Sequence, residues 1–283
     1  MSLPLSFAMA LTMCAFAANS LLNRLALADG EAGAASFAAL RLISGAIVLV
    51  LLVVLQNPAG RLKASMDLGN ALALATYVLG FSFAYVTLDA GFGALLLFGT
   101  VQLTMFSSVV FTDSEAVPIR RWIGAAMGLA GLLWLLAPSS TESLSLSLAA
   151  LLMVLAGIGW GVYSLRGSRS TDPLAATAAS FLLATPVALL VYGVLPDTLT
   201  GRGAVLACVS GAVTSGLGYA LWYRLLPQLN ATVAAVAQLT VPVLAAVAGV
   251  FVLDEPFGVR LALSGALVLG GVLVATVRVS PPR

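Results

Sequence analysis

The chain never leaves an apolar run for long, and that most narrows what it can fold into. A helix needs roughly 20 apolar residues to cross the hydrocarbon core of a bilayer. Ten such runs are readable, at about 4–28, 34–55, 67–87, 91–111, 118–136, 145–166, 174–194, 203–226, 231–252 and 257–278. The loops and tails left over are too short to hold a soluble domain. Charged residues make up 8% of the 283 residues, against about a quarter in an ordinary soluble protein. Uninterrupted apolar runs point to helices and away from the alternating strands of a barrel. The expected fold is an all-α integral membrane protein of ten transmembrane helices.

Composition excludes several classes. A net charge of +2 predicts no polyanionic partner, so no nucleic acid. There is no histidine and there are only two cysteines. Neither a metal site nor a cofactor is expected, and no nucleophile–base constellation suggests an enzyme. Ala15-Phe16-Ala17 resembles a signal-peptidase site, but no Lys or Arg precedes the apolar run, so the first span is read as a retained helix. Nine Lys and Arg residues fall on the side of the N-terminus and four on the other. The positive-inside rule then places both termini in the cytoplasm, with a bacterial inner membrane as the expected location.

The two halves repeat. Ala32–Phe37 returns as Ala176–Phe181, Leu79-Gly80-Phe81 with Tyr85 as Leu217-Gly218-Tyr219 with Tyr223, and Phe111, Glu115 and Arg120 as Phe251, Glu255 and Arg260. The matches run in chain order. They divide the chain into a five-helix unit over 1–138, a linker over 139–144 and a second unit over 145–283. An odd number of spans per unit inverts the second relative to the first. Inverted repeats place a binding site near the midplane and suit alternating access.

Phe251-Val252-Leu253-Asp254-Glu255-Pro256, followed by Gly265, Gly270 and Gly271, resembles the end of an EamA-type repeat of the drug/metabolite transporter superfamily. Glu115, Arg120, Gly124 and Gly131 form a weaker first copy, and Phe37–Leu42 with Arg41 is similar to the family's second helix. The resemblance implies a ten-helix exporter of amino acids or other metabolites. Within the superfamily the likeness is greatest to YddG-type exporters of aromatic amino acids. Pro242 matches the family's proline, whereas the corresponding position in span four is Gln102.

Candidate site residues follow from depth. Asn19, Gln102 and Gln238 are amides inside spans, where an unpartnered amide is costly. They either bind neighbouring helices together or line a wet cavity. Tyr77 and Phe81 share one face of span three, with Tyr219 as a counterpart in span eight. Trp160 and Tyr163 lie inside span six. Substrate contact is assigned to all of these and to the backbone freed near Pro242. Arg41, Glu115 and Glu255 are assigned gating or structural roles. Glu115 and Glu255 stand where a carboxylate complements a helix N-terminus. Arg41 either snorkels to the interface or pairs with Asp29 or Glu31 at the mouth.

No acid falls at the centre of a span, so a conventional proton relay is not expected. The site is expected to carry no central fixed charge and to hold a neutral or zwitterionic small molecule. One chain can enclose it, so oligomerisation is not required. Two other readings remain at this level: an exporter of drugs or quaternary cations held by aromatic cages, and a non-transporting scaffold or lipid-handling protein.

Overall fold

A computed structural model describes residues 3–56, 61–112, 118–137, 144–168, 170–229 and 231–276. Among the described residues, ten helices are long and apolar enough to cross a membrane. They are α1 (Leu3–Ala28), α2 (Ala34–Gln56), α3 (Leu68–Tyr85), α4 (Ala90–Thr112), α5 (Ile119–Leu136), α6 (Leu144–Gly167), α7 (Pro173–Val194), α8 (Gly201–Gln228), α9 (Ala231–Gln238 and Thr240–Leu253) and α10 (Val259–Thr276). A single turn, Arg61–Ala64, precedes α3. The expected linker over 139–144 and Glu115 lie outside the described residues, apart from the first residue of α6.

Local chemistry sets the helix starts. Asp67, Asp172 and Thr200 each accept a hydrogen bond from the backbone N–H three residues on, at 3.1–3.2 Å, which satisfies one of the free amides of α3, α7 and α8. Helix α2 is capped from elsewhere: Asp197, in the α7–α8 loop, accepts from the amides of Ala35 and Ser36 at 2.8 and 3.1 Å. Two helices depart from regular geometry. Pro242 has no N–H to offer the Gln238 carbonyl, and α9 breaks at Leu239. In α8, Ser210–Leu217 forms a wide π-type segment, where the Gly218 amide reaches back to the Val213 carbonyl.

The helices pack between halves more than within them. α3 runs along α6, α2 along α7 and α8, α1 along α8 and α9, α4 along α6 and α9, and α5 along α10. Small residues permit the close crossings. A Cβ added at Gly124 would strike the Gly271 carbonyl of α10, and at Gly157 or Gly161 it would strike Thr100 or Thr104 of α4. Large apolar side chains such as Phe7, Ile119, Phe251 and Val259 are exposed, as lipid-facing positions should be. Cys14 joins that outer surface.

Candidate functional site

Phe16 and Asn19 of α1, Tyr77 and Phe81 of α3, Trp160 of α6 and Tyr219 of α8 meet inside the bundle. Tyr77 and Trp160 sit near the middle of their helices. Trp160 is the hub: its ring lies 4.9 Å from Tyr77, 4.8 Å from Tyr219 and 6.0 Å, edge-on, from Phe16. Ser20, Leu97 and Phe98 complete the wall. The enclosed space is about 10 Å³, room for about one water molecule. The side chains pack closely enough to leave no room between them for a larger solute.

A polar network stands behind the chamber wall, reached through Asn19 and the tyrosine hydroxyls. The Asn19 side-chain carbonyl accepts hydrogen bonds from the hydroxyls of Ser210 at 2.9 Å and Ser215 at 3.3 Å, and from that of Thr214. All three hydroxyls belong to the π-type segment of α8. Ser215 in turn accepts from Arg41 Nε at 3.0 Å. Arg41 Nη2 donates to the Tyr77 hydroxyl at 2.9 Å and the Tyr219 hydroxyl at 3.3 Å. The guanidinium carbon lies 5.2 Å from the ring centres of both Tyr77 and Phe81, within cation–π range. Arg41 is fully buried, and its Nη1 has no hydrogen-bond partner.

Two expectations about Arg41 are corrected here. It neither snorkels nor pairs at the mouth; Glu31 is taken by Arg202 at 3.3 Å and by Thr200. Arg41 lies about two turns into α2, on the face that α3, α7 and α8 enclose, so its side chain points inward. The core consequently does hold a fixed positive charge.

The other assignments divide. Asn19, Tyr77, Phe81, Trp160 and Tyr219 converge. Tyr163 is buried one step away, its ring 5.5 Å from Trp160 and 6.4 Å from Tyr223. Gln102 is half-buried one turn beyond Phe98 and does not line the chamber. Gln238 is buried at the α9 break with its side-chain carbonyl unpartnered, also outside the chamber. Pro242 borders a separate apolar groove of roughly 240 Å³ with Gly91, Leu95 and Leu261. The rotation of their helices turns these three away from the chamber. Phe16 was not anticipated, although its place three residues before Asn19 puts both on one face.

Glu255 does complement a helix N-terminus, but not that of its own helix. It accepts from the Ala90 amide at 2.8 Å, at the start of α4, and pairs with Arg24 at 3.1 Å. Arg24 also reaches Asp89 at 3.4 Å and the Tyr85 and Val86 carbonyls. This network joins α1, the α3–α4 loop and the α9–α10 loop on the side opposite the N-terminus. Burial pushes the Glu255 carboxyl above its usual range, against the Ala90 amide and Arg24, which pull it down. On the N-terminal side, Arg166 pairs with Asp67 at 2.7 Å and Arg61 with Asp172. There the arginines hold both carboxyls below their usual range.

A ten-span helical bundle with a buried aromatic chamber, one amide in its wall and an arginine behind it, is a multi-pass membrane protein of transporter type. Comparison with known proteins agrees: the sequence profile of the EamA-like transporter family matches residues 147–277. The chain is 46% identical over 268 residues to Uncharacterized protein PA1977 of Pseudomonas aeruginosa, an alignment covering 93% of this chain and 91% of that one. It is 23% identical to Uncharacterized transporter YoaV of Bacillus subtilis, across 85% and 86% of the two chains. An Uncharacterized transporter of Archaeoglobus fulgidus is 26% identical, across 74% of each. A solved structure described only as "Crystal structure of protein" shares the fold, with a TM-score of 0.67 at 20% identity over 96% of this chain and 97% of that one. The chain belongs to the EamA-like transporter family, a transporter family and not an enzyme family.

Proposed function

We propose that this membrane transporter exports amino acids, or small metabolites of similar chemistry, by alternating access. The observation that carries the reading is the chamber at mid-helix, where aromatic walls for an apolar side chain meet Asn19, backed by Ser215 and Arg41. Aromatic amino acids suit those walls best. The division into inverted units over 1–138 and 145–283 is part of the proposal. It is supported by matched packing: α3 on α6 has a counterpart in α8 on α1, and α2 on α8 in α7 on α3. An inner-membrane location with cytoplasmic termini is the orientation that the arginine distribution favours.

No Asp or Glu lies within any of the ten helices, and the chain has no histidine. Transport without a titratable relay inside the membrane follows from that composition. The buried arginine also argues against a quaternary-cation exporter, since it repels a bound cation.

Counterflow in proteoliposomes tests the reading, using labelled phenylalanine and alanine with and without a pH gradient. Saturable, gradient-independent exchange is the expected result. Exchange that requires the gradient refutes the uncoupled mechanism. Absence of amino-acid exchange refutes the substrate class and returns weight to other solutes or to a non-transporting role.

A further inference from the structure

The Arg41 guanidinium is short of a partner. Arginine keeps its proton in a protein, and a buried charge is costly unless an opposite charge meets it. Here the surroundings are neutral: three hydroxyls and two ring faces. Among the described residues no carboxylate pairs with it. Three of its five N–H groups are used, one from Nε on Ser215 and two from Nη2 on Tyr77 and Tyr219. Both N–H groups of Nη1 are unused in a fully buried setting. The residues that touch the guanidinium, Tyr77 and Phe81 through their rings and Tyr219 through its hydroxyl, are also walls of the chamber. The arginine therefore lies directly behind that wall.

We propose that Arg41 is the anion subsite of the transporter and that its ligand is the carboxylate of the carried solute. This inference rests on reading the chamber as the transport site. A carboxylate takes two parallel N–H bonds from a guanidinium edge. One comes from the idle Nη1. The other comes from Nη2 when a tyrosine hydroxyl gives way, and that hydroxyl remains close enough to donate to the same anion. The solute class is an amphiphilic monocarboxylate: charge at Arg41, apolar part against Trp160 and Phe16. An α-ammonium is tolerated but not required, because the chamber offers it Asn19 and no acid. A phosphate dianion would bring two charges to one cation and is disfavoured.

The test is thermal stabilisation of the purified, detergent-solubilised protein by matched pairs of probes: 3-phenylpropionate against 3-phenylpropanamide, and L-phenylalanine against L-phenylalaninamide. Each carboxylate is expected to bind about tenfold or more tightly than its amide, the worth of a charge-assisted bond. Arg41→Gln should abolish that preference, and Arg41→Lys, which keeps the charge but loses the planar fork, should reduce it. Equal binding of acids and amides by the natural protein overturns the proposal. So does an absence of stabilisation by either carboxylate, or an undiminished preference in Arg41→Lys. Counterflow separates this from the broader reading. Amino-acid exchange inhibited equally by phenylalanine and its amide sinks the anion subsite and leaves the exporter. A carboxylate preference without amino-acid exchange sinks the amino-acid substrate and leaves the subsite.

Discussion

Helices α3 and α8 carry matching sequences, Leu79-Gly80-Phe81 with Tyr85 and Leu217-Gly218-Tyr219 with Tyr223, yet they do different work. Each lays its glycine against the first helix of the other half, Gly80 on α6 and Gly218 on α1. Each supplies a tyrosine to the chamber. α3 is a regular helix and brings two rings and the single Tyr77 hydroxyl. α8 widens into the π-type segment, and the three hydroxyls from that stretch form the polar network with Asn19 and Arg41. Wide turns of this kind often mark functional positions in helices. Two helices of matching sequence share a packing face and differ in polar chemistry through the pitch of one segment.

The largest expected effect strikes what α3 lacks. A Cβ at Gly211, inside the wide segment, would overlap the Arg41 carbonyl and the Ser44 hydroxyl. Gly211→Val should cost about 3 kcal/mol or more and prevent recovery of a monodisperse protein by size-exclusion chromatography. Recovery of a well-behaved variant would mean that α8 readily returns to regular geometry.

The shared glycines come next. A Cβ at Gly80 would stand 2.7 Å from the Leu152 carbonyl, and at Gly218 3.3 Å from the Ala15 methyl. Gly80→Ala should destabilise by about 1–3 kcal/mol and Gly218→Ala by less than about 1 kcal/mol. Thermal unfolding in detergent reads both, and equal losses would contradict the comparison.

The paired tyrosines are subtler. The Tyr77 hydroxyl is the nearer to Arg41, at 2.9 Å against 3.3 Å. Tyr77→Phe should change the exchange rate about fivefold, the worth of roughly one hydrogen bond, and Tyr219→Phe by less. The reverse order would show that α8 holds the arginine more firmly than α3 does.

The smallest effect concerns the ends of these helices. The Arg24–Glu255 network gathers the α3–α4 loop, whereas Asp67 at the start of α3 pairs with Arg166. An acid whose affinity for protons is raised takes one earlier as pH falls. Glu255 therefore neutralises above its ordinary 4.5, while Asp67 and Asp172, both lowered, stay charged. Acidification toward that window should loosen the Arg24 side first and raise exchange by no more than about threefold, the scale of a partly exposed ion pair. Glu255→Gln should show the faster rate already at neutral pH and lose the pH response. A variant as pH-sensitive as the natural protein would assign the effect elsewhere.

The ten spans were legible because hydropathy is a local property that each run carries for itself. Asn19, Tyr77 and Phe81 were legible because a four-residue spacing or mid-span depth places them correctly in any straight helix. Gln102 and Gln238 were not, since facing depends on how a helix rotates against its neighbours. Pro242 announced a break but not the groove it would border. Arg41 was misjudged for the same reason: its distance from the start of α2 was plain, but the enclosure of that face by three other helices is a property of the assembly. Nothing in the local pattern Ser210–Leu217 distinguished a wide segment from a regular one.

The smallness of the closed chamber has an electrical consequence. Room for about one water leaves no continuous file along which protons could hop through it, and no acid within the helices supplies a stepping stone. The fixed positive charge of Arg41 beside that space repels hydronium as well, the device by which arginine keeps cations out of water-selective pores. In this shape the chamber itself offers ions no passage, whatever the voltage across the membrane.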